Sequence, residues 1–248
     1  MLSNKNIIIT GCARGIGKSM LDTFSKNKAN VFACARKQTN EFDYLCKQLS
    51  DENNVNIYPI YFDFSNTDEI KESVKKILSY KLPLHGLVNN AGVIYNSLFQ
   101  MTSVDKMKEI FNINFFSQVL FTQYLIKNMV RQKFGSIVNI SSTAAIDGNS
   151  GKSAYGASKG AFISLTKTMA TEFGQYNIRV NSIAPGITDT DMVSGSISEE
   201  IINKTIQQTK LKRIGNVVDI ANTAMYLVSD KSVYITGQVI RVDGGLGI

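Results

Sequence analysis

The sequence has few of the residues on which several protein classes depend. It contains one histidine, His85, and three cysteines, Cys12, Cys34 and Cys46, with no C-x-x-C pair. Three cysteines cannot all pair, so we expect reduced thiols in an intracellular protein, not a disulfide scaffold or a metal site. A Ser-His-Asp hydrolase would have to use His85, and no G-x-S-x-G turn accompanies it. We therefore interpret His85 as a loop or strand-edge residue.

Long apolar runs are also missing. The opening residues, MLSNKNIII, hold too short an apolar stretch for a signal peptide, and no run approaches the roughly 20 residues that span a bilayer. Lysine and arginine number 27 against 20 aspartate and glutamate, a net charge of +7, but the basic residues are spread along the chain. We therefore expect a cytoplasmic protein that binds neither membrane nor nucleic acid and has one local anion site.

The chain does have an alternation of short apolar runs with longer helical patterns. Several runs are apolar on successive residues, which is typical of strands buried on both faces of a parallel sheet. With no linker or repeat in 248 residues, this alternation predicts βαβ units in a single α/β domain over 1–248. The predicted strands are 6–9, 31–34, 57–62, 86–88, 136–140, 179–183 and 239–242, and the predicted helices are 17–26, 68–78, 104–131, 157–173 and 217–228.

A glycine-rich turn joins the first predicted strand to the first helix. It reads T-G-C-A-R-G-I-G from Thr10 to Gly17. Glycines at such a junction let the backbone approach a pyrophosphate, and the helix that follows offers free N–H groups and the positive end of its dipole. By themselves the glycines also fit a plain turn. Their place between strand one and helix one favours dinucleotide binding.

This turn and five later segments together resemble the short-chain dehydrogenase/reductase family, over essentially the whole chain and at the length of its single-domain branch. The resemblance implies a Rossmann fold, with a seven-stranded parallel sheet in the order 3-2-1-4-5-6-7 and helices on both faces. The later segments are Asn89-Asn90-Ala91-Gly92, Ser142, Tyr155-Gly156-Ala157-Ser158-Lys159, Pro185-Gly186, and the ending from Ile235-Thr236-Gly237-Gln238 to Val242-Asp243-Gly244-Gly245.

Tyr155 and Lys159 are catalytic residues by this resemblance. Hydride addition to a carbonyl builds negative charge on oxygen, which needs a proton donor and hydrogen bonds placed in advance. The two residues lie one helical turn apart on one face. A lysine cation about 4 Å from a phenol contributes about 4 kcal/mol at an effective dielectric constant of 20, equivalent to about three pKa units. We therefore expect Lys159 to lower the pKa of Tyr155.

Two further catalytic residues, Ser142 and Asn114, come from the same resemblance. Ser142 has the family's separation from Tyr155, and it is expected to hydrogen-bond both the substrate oxygen and Tyr155. Asn114 has the family's separation from Asn89, and it is expected to hold a water against Lys159. Asn112 is the competing assignment for this asparagine.

The choice of cofactor depends on the residues that end the second strand. An acidic side chain there would bond the ribose 2′-hydroxyl and repel a 2′-phosphate. The family position for that acid is Ala35, and Arg36 follows it. Arg14 in the glycine turn supplies a second guanidinium, a group that binds phosphate through two parallel hydrogen bonds. Either arginine alone also fits a solvated surface charge, but the combination favours NADP(H).

The remaining cofactor contacts are assigned by matching motifs. Asp63 resembles the residue that contacts adenine, with a simple strand cap as the alternative, and Phe64 beside it would contribute its backbone. The backbone of Thr188 resembles the group that holds the carboxamide of the nicotinamide. The predicted cofactor-binding set is Gly11, Arg14, Gly15, Ile16, Gly17, Arg36, Asp63, Phe64, Asn90, Ala91, Gly92, Tyr155, Lys159, Pro185, Gly186, Thr188 and Thr190.

Within the family, the chain is most similar to the 3-oxoacyl-acyl-carrier-protein reductases, over 140–155 and 184–192. The resemblance implies an NADP(H)-dependent oxidoreductase that transfers a hydride between nicotinamide and a carbonyl or secondary alcohol, assembled as a homotetramer and without a metal. A sugar or small-alcohol dehydrogenase is an alternative. A non-catalytic dinucleotide-binding regulator is another, but it would not need an intact Ser142–Tyr155–Lys159 set.

An acyl carrier protein is a doubtful partner on this reading. A carrier protein is acidic, and the reductases of this group hold it with two arginines beside the site mouth. Here those positions are Lys133, which lacks the planar fork of arginine, and Tyr176, which has no charge. Arg131 or Arg179 are the candidates to replace them.

The segment 187–213 interrupts the alternation of strands and helices. It is polar, includes Ser194, Gly195 and Ser196, and directly follows Pro185-Gly186. A loop of that length inside one domain is usually functional. We predict that it forms a lid that closes over the substrate and excludes water.

Overall fold

Seven parallel strands form one sheet in the order 3-2-1-4-5-6-7, which confirms the predicted topology. The structure is a computed structural model that describes residues 1–190 and 199–247. Neighbouring strands pair in parallel throughout, and Ile8, for example, pairs with both Phe32 and Leu87. The strands are β1 (Asn6–Thr10), β2 (Asn30–Ala35), β3 (Ile57–Tyr61), β4 (Gly86–Asn89), β5 (Gly135–Ile140), β6 (Ile178–Pro185) and β7 (Val239–Val242).

Helices cover both faces of this sheet, because successive strand side chains point to opposite sides. The described helices are α1 (Gly15–Lys26), α2 (Asn40–Asn53), α3 (Thr67–Ser79), α4 (Val104–Phe111), α5 (Ser117–Gln132), α6 (Ser153–Phe173), α7 (Glu199–Gln208) and α8 (Val217–Val228). Ile7 and Ile9 are buried beneath α1, α2 and α8, whereas Ile8 is buried beneath α3, α5 and α6. Across the described stretches, no helix combines the length and apolarity needed to cross a bilayer.

The rarer residues occupy structural positions. Cys12, Cys34 and Cys46 are buried and unpaired. His85 lies directly before β4, and its Nδ1 accepts a 3.0 Å hydrogen bond from the backbone of Asn6. These placements agree with the reading of the cysteines as free thiols and of the histidine as a strand-edge residue.

Helix α2 is not among the helices predicted from the sequence. The Thr39 hydroxyl accepts a hydrogen bond from the Phe42 backbone and so caps its N-terminus. Only Phe42, Cys46 and Leu49 are buried on this helix, at the spacing of one helical face. That pattern was available in the sequence, but the many polar residues around it hid the apolar stripe.

The prediction of one continuous helix over 104–131 was wrong. The structure divides this stretch into α4, a π-helical turn at Asn112–Phe116, and α5. Asn114 is the buried residue of the π turn. Inserted π turns of this kind occur frequently at functional sites. Apolar periodicity could not reveal it, because the pattern continues on both sides.

The polar segment 187–213 is not simply a loop. It contains α7 (Glu199–Gln208), and the backbones of Thr188 and Gly215 pair as a short parallel bridge at its two ends. Ser194, Gly195 and Ser196 lie outside the described residues. The lid therefore remains a prediction about this segment.

The glycine turn between β1 and α1 is closed by backbone contact. Gly11 and Gly15 have φ angles of +75° and +53°, in the left-handed region that favours glycine. A Cβ at Gly17 would lie 1.9 Å from the carbonyl oxygen of Gly11 and 2.7 Å from the side-chain amide of Asn90. No side chain fits at position 17 unless the turn opens.

We expect Gly17→Ala to lower the free energy of unfolding by about 1–3 kcal/mol, the usual cost of overpacking, because the atom it meets is backbone. Gly174→Ala is the matched control, since no atom lies within 4 Å of its added Cβ, and its conformation suits alanine. The free energy of unfolding of this control should rise by up to about 1 kcal/mol. Urea unfolding of both variants measures the difference, and equal stabilities would contradict this account of the turn.

Candidate active site

The carboxyl ends of β1, β4, β5 and β6 meet at one edge of the sheet, and the predicted site residues lie along it. Ser142 follows β5, and Tyr155 and Lys159 lie one turn apart on α6. Gly156 lets this helix approach Ser142, since a Cβ there would lie 2.9 Å from the carbonyl oxygen of Ala144. The sequence motif included Gly156, but only the structure reveals its contact.

A hydrogen bond joins the side chains of Ser142 and Tyr155. Burial raises the pKa of Tyr155, and this hydrogen bond lowers it by less. The net direction is opposite to the predicted one, because burial is the larger effect. The ammonium group of Lys159 is directed to the carbonyl of Ile140, to which it donates at 2.8 Å. A phenol with a raised pKa stays protonated at neutral pH, which suits a proton donor.

Lys159 is almost completely buried, with 4% of its surface exposed. Burial lowers its pKa to about 8, because dehydration disfavours the charged form. Gly92 provides space beside it, since a Cβ at that position would lie 3.4 Å from the lysine Nζ and 3.1 Å from the Asn114 Oδ1. The N-N-A-G segment thus brings Lys159 and Asn114 to one point.

Asn114 holds the segment that follows β4. Its Oδ1 accepts from the backbone nitrogen of Val93 at 2.8 Å, and its Nδ2 donates to the Val93 carbonyl at 2.9 Å and to the Ser158 hydroxyl at 3.1 Å. Asn114 is fully buried, whereas Asn112 is exposed. Of the two candidates, the structure therefore brings Asn114 to the site.

Two residues that support this edge were not predicted. The Gln118 amide, fully buried, donates to the carbonyl of Ala91 at 2.6 Å and to that of Asn114 at 3.1 Å. The Thr10 hydroxyl accepts from the backbone nitrogens of Asn90 and Ala91 at 2.9 and 3.0 Å. Thr10 stands at the start of the glycine motif, whereas nothing in the sequence pattern marks Gln118.

Asn90 is placed against the glycine turn. Its side-chain amide donates to the carbonyl of Thr10 at 2.8 Å. Asn90, a member of the predicted cofactor-binding set, therefore has a structural role that the motif did not reveal: with Thr10, it connects the turn after β1 to the segment after β4.

The start of α1 is built to receive an anion. No side chain caps the N-terminus at Arg14, and the first turn contains no acidic residue. Gly11 lies against the segment after β4, since a Cβ there would lie 3.0 Å from the Asn90 Nδ2. Thr190 lies beside the other glycine of the turn, with its Cγ2 3.5 Å from where a Gly15 Cβ would lie. Open N–H groups, a positive helix end and glycines fit the pyrophosphate of a dinucleotide.

The turn after β6 is rigidly packed. A Cβ at Gly186 would lie 2.8 Å from the Cβ of Asp243, and Pro185 and Thr188 are buried. The Gly186 backbone donates to the carbonyl of Val242 at 3.0 Å. The segment predicted to face the nicotinamide is thus fixed to the end of β7.

At the far end of this edge, Asp63 lies near the positive charges that follow β2. Burial would raise the pKa of Asp63, but hydrogen bonds from Ser65 and the charges of Arg36 and Lys37 reverse the direction, so its pKa is lowered. Lys37 is exposed beside Arg36 and was not among the predicted site residues. Phe64 packs with Phe62 and Phe121, and this burial of its ring leaves only its backbone for a cofactor.

All predicted site residues fall within 1–190, and the structure places them along this one edge of the sheet. Ile16 and Phe64 have side chains that turn inward: Ile16 packs against the core beneath α1, and Phe64 packs with Phe62 and Phe121. The arrangement combines a dinucleotide cleft with a hydroxyl pair and a buried amine beside it.

Comparisons with known proteins agree with this geometry. The family described as Enoyl-(Acyl carrier protein) reductase matches residues 11–247. The 3-oxoacyl-[acyl-carrier-protein] reductase of Thermotoga maritima is 36% identical over 247 residues, covering 100% of this chain and 99% of that protein. The same enzyme of Chlamydia muridarum is 35% identical, covering 99% and 98%.

Solved structures show the same fold. A 3-oxoacyl-[acyl-carrier protein] reductase with bound NAD from Brucella melitensis has a TM-score of 0.89 at 30% identity, covering 99% of this chain and 92% of that chain. A putative gluconate dehydrogenase from Agrobacterium tumefaciens has a TM-score of 0.94 at 26% identity, covering 100% and 98%. With a family match across nearly all of its length and relatives above 30% identity, the chain belongs to the short-chain dehydrogenase/reductase family of oxidoreductases.

Proposed function

We propose that this chain uses NADPH to reduce the 3-oxo group of an acyl thioester to a hydroxyl group. The observation that carries the proposal is the hydrogen-bonded pair of Ser142 and Tyr155 beside the buried Lys159, next to a cleft that fits a dinucleotide. The bound cofactor supplies the hydride. The protein must then supply a proton and stabilise the charge that forms on the substrate oxygen.

Each side chain has a distinct role in the proposed reaction. Ser142 donates a hydrogen bond to the substrate oxygen and orients it, and Tyr155 transfers its phenolic proton to that oxygen. Lys159, charged below about pH 8, stabilises the phenolate that remains. Asn114 holds the adjacent backbone and supports the return of a proton from water.

The preference for NADPH rests on charge at the end of β2. Ala35 offers no carboxylate to the ribose, and Arg36, Lys37 and Arg14 are all exposed on the cofactor side. Three cations and no competing acid at the ribose position favour a 2′-phosphate. The Brucella melitensis neighbour was solved with bound NAD, so the preference of this chain has to be measured.

The expectation that an acyl carrier protein is not used gains no support from the comparisons, since the similar reductases are named for that substrate. We therefore include a carrier-bound 3-oxoacyl chain among the substrates. Arg179 does not replace a docking arginine, because its guanidinium donates to the carbonyls of Ser229 and Ile235. Lys133 and Arg131 are exposed at the end of α5 and are the cations left for docking.

A second candidate function is oxidation of a sugar alcohol or sugar acid, favoured by the similarity to the putative gluconate dehydrogenase. We also propose a homotetramer, with α4, α5 and α6 in one interface. Phe116, between α4 and α5, is 58% exposed and gives this surface an apolar centre.

We expect Tyr155→Phe to lower turnover of a 3-oxoacyl thioester by about 100- to 10,000-fold, the usual contribution of a positioned acid, with NADPH affinity retained. Tyr44→Phe is the control, because it removes the same hydroxyl from a side chain that is 70% exposed on α2. NADPH absorbance measures turnover with a carrier-bound chain, a small thioester and gluconate. Full activity of Tyr155→Phe would refute the role, and turnover of gluconate alone would favour the second candidate.

The buried lysine predicts a pH dependence. Because burial lowers the pKa of Lys159 to about 8, its positive charge is present below that pH and is lost above it. We expect kcat/KM for reduction to fall as the pH rises through about 8. Lys159→Arg stays charged, so its kcat/KM should not fall in this pH range, whereas Lys167→Arg on the exposed side of α6 should keep the fall. If kcat/KM of Lys159→Arg falls in the same way, a group other than Lys159 causes the pH dependence.

Cofactor choice can be reversed at the end of β2. We expect Ala35→Asp combined with Arg36→Ala to weaken NADPH binding by about 10- to 100-fold, the loss of one charged hydrogen-bonding group, and to favour NADH. Titration of cofactor fluorescence measures both dissociation constants, and Lys47→Ala on the exposed face of α2 serves as the control. Tighter binding of NADH than of NADPH by the unmodified protein would contradict the assignment.

A further inference from the structure

Lys152 places a positive charge beside the site. It directly precedes α6, and its Nζ lies 5.8 Å from the centre of the Tyr155 ring. Its backbone pairs in parallel with Ser97, and the Ser97 nitrogen donates to the carbonyl of Gly151 at 2.9 Å. The segment after β4 and the start of the catalytic helix therefore form one wall that carries this lysine.

The lysine is half-buried, and no carboxylate pairs with it among the described residues. Its Nζ donates to the neutral Oδ1 of Asn96 at 2.5 Å. Burial lowers the pKa of Lys152 because the ammonium group loses water without gaining an opposite charge. A partly dehydrated cation with a neutral partner is less stable than one with a carboxylate, and such groups occur frequently where a ligand completes the pairing.

The acid nearest to Lys152 along the chain is already paired elsewhere. Asp147 is the single carboxylate in 143–152, and both of its oxygens accept from Arg241, at 2.6 and 2.7 Å. Arg241 also bonds Asp243 and the carbonyl of Leu246. This network fixes the loop between Ser142 and Tyr155 to the end of β7, so Asp147 is held away from Lys152.

We propose that Lys152 determines specificity by binding a second oxygen of the substrate, two carbons from the reacting carbonyl. That oxygen is the thioester carbonyl of a 3-oxoacyl chain or the carboxylate of a free 3-oxo acid. The flexible four-carbon stem lets the ammonium group exchange Asn96 for this acceptor while the ketone oxygen faces Ser142 and Tyr155. The inference rests on the proposed reduction of 3-oxo compounds and names the part of the substrate that this side chain recognises.

The test compares Lys152→Met, which removes the donor, with Lys152→Gln, which keeps a neutral donor. The NADPH-loaded enzyme is assayed with a small 3-oxoacyl thioester, the matching free 3-oxo acid and a simple ketone. We expect Lys152→Met to lower kcat/KM for the first two by about 10- to 100-fold, as for loss of a hydrogen bond to a charged group. Activity on the simple ketone should not change. If Lys152→Gln restores kcat/KM for the thioester, a neutral donor is enough to bind the thioester carbonyl. If it does not restore kcat/KM for the free acid, the carboxylate of the acid requires the positive charge of the lysine.

Two variants test whether Lys152 binds the substrate or only stabilises the wall to which it belongs. Asn96→Ala keeps the lysine but removes its internal partner, and Lys47→Met removes an exposed lysine on α2. If Lys152 only braces the wall, Asn96→Ala and Lys152→Met will lower activity equally on all three substrates, and the proposal is overturned. Unchanged activity of Lys152→Met on every substrate also overturns it.

A binding measurement keeps this inference separate from the proposed function. If the unmodified enzyme reduces none of the three compounds, the proposed function fails. Quenching of NADPH fluorescence by the 3-oxo acid still reports its affinity for the loaded enzyme. We expect that affinity to fall about 10-fold in Lys152→Met, the effect of losing one charged hydrogen bond; equal affinities, or no binding to the unmodified enzyme, would refute the role of Lys152.

Discussion

Parallel pairing of β1, β4, β5 and β6 is the constraint on which the site depends. It brings the carboxyl ends of four strands, far apart in the chain, to one edge. Buried amides hold the central pair: Asn89 on β4 donates to Asn139 on β5 at 2.9 Å, and Asn139 donates to Thr166 on α6 at 2.9 Å. Helix α6 is thereby fixed against the strands that carry the other predicted site residues, and each hydrogen bond is strengthened by its dry surroundings.

Burial, more than attraction between charges, sets the proton affinities at this edge. Tyr155 and Lys159 share a helical face, yet the ammonium group bonds the carbonyl of Ile140. Dehydration then raises the pKa of the phenol and lowers that of the amine to about 8. Each shift favours the uncharged form of its side chain. The phenol therefore keeps its proton at neutral pH, and the charge of the lysine responds to small changes around it, because its pKa lies close to neutral pH.

Further positive charges lie outside this buried pair. Arg36 and Lys37 follow β2 and are exposed, whereas Lys152 is half-buried with its Nζ 5.8 Å from the centre of the Tyr155 ring. Arg241 belongs to neither group, because Asp147 and Asp243 occupy its donors. The overall charge of +7 therefore says little about function, because it does not distinguish cations held by carboxylates, such as Arg241, from those without such a partner.

Much of the architecture could be predicted because it depends on local pattern. Apolar runs of β2 and β5 predict buried strands. The glycine turn from Thr10 to Gly17 predicts a strand-to-helix junction, since few residues other than glycine adopt φ angles such as the +75° of Gly11. The family resemblance supplied the strand order and the identities of Ser142, Tyr155 and Lys159. Helix α2 shows the limit of this reasoning, because three apolar residues among polar ones are a weak signal.

Tertiary structure alone decided the features that depend on neighbours distant in sequence. At the π turn, the side chain of Asn114 hydrogen-bonds the backbone of Val93. The apolar pattern of the sequence gives no information about that partner. Gln118 and Lys152 have ordinary sequence surroundings, and their importance follows from the carbonyls and rings that the fold brings to them. The pKa of Tyr155 was predicted in the wrong direction for the same reason: spacing along a helix fixes which residues are adjacent, whereas burial and the orientation of Lys159 are properties of the folded chain.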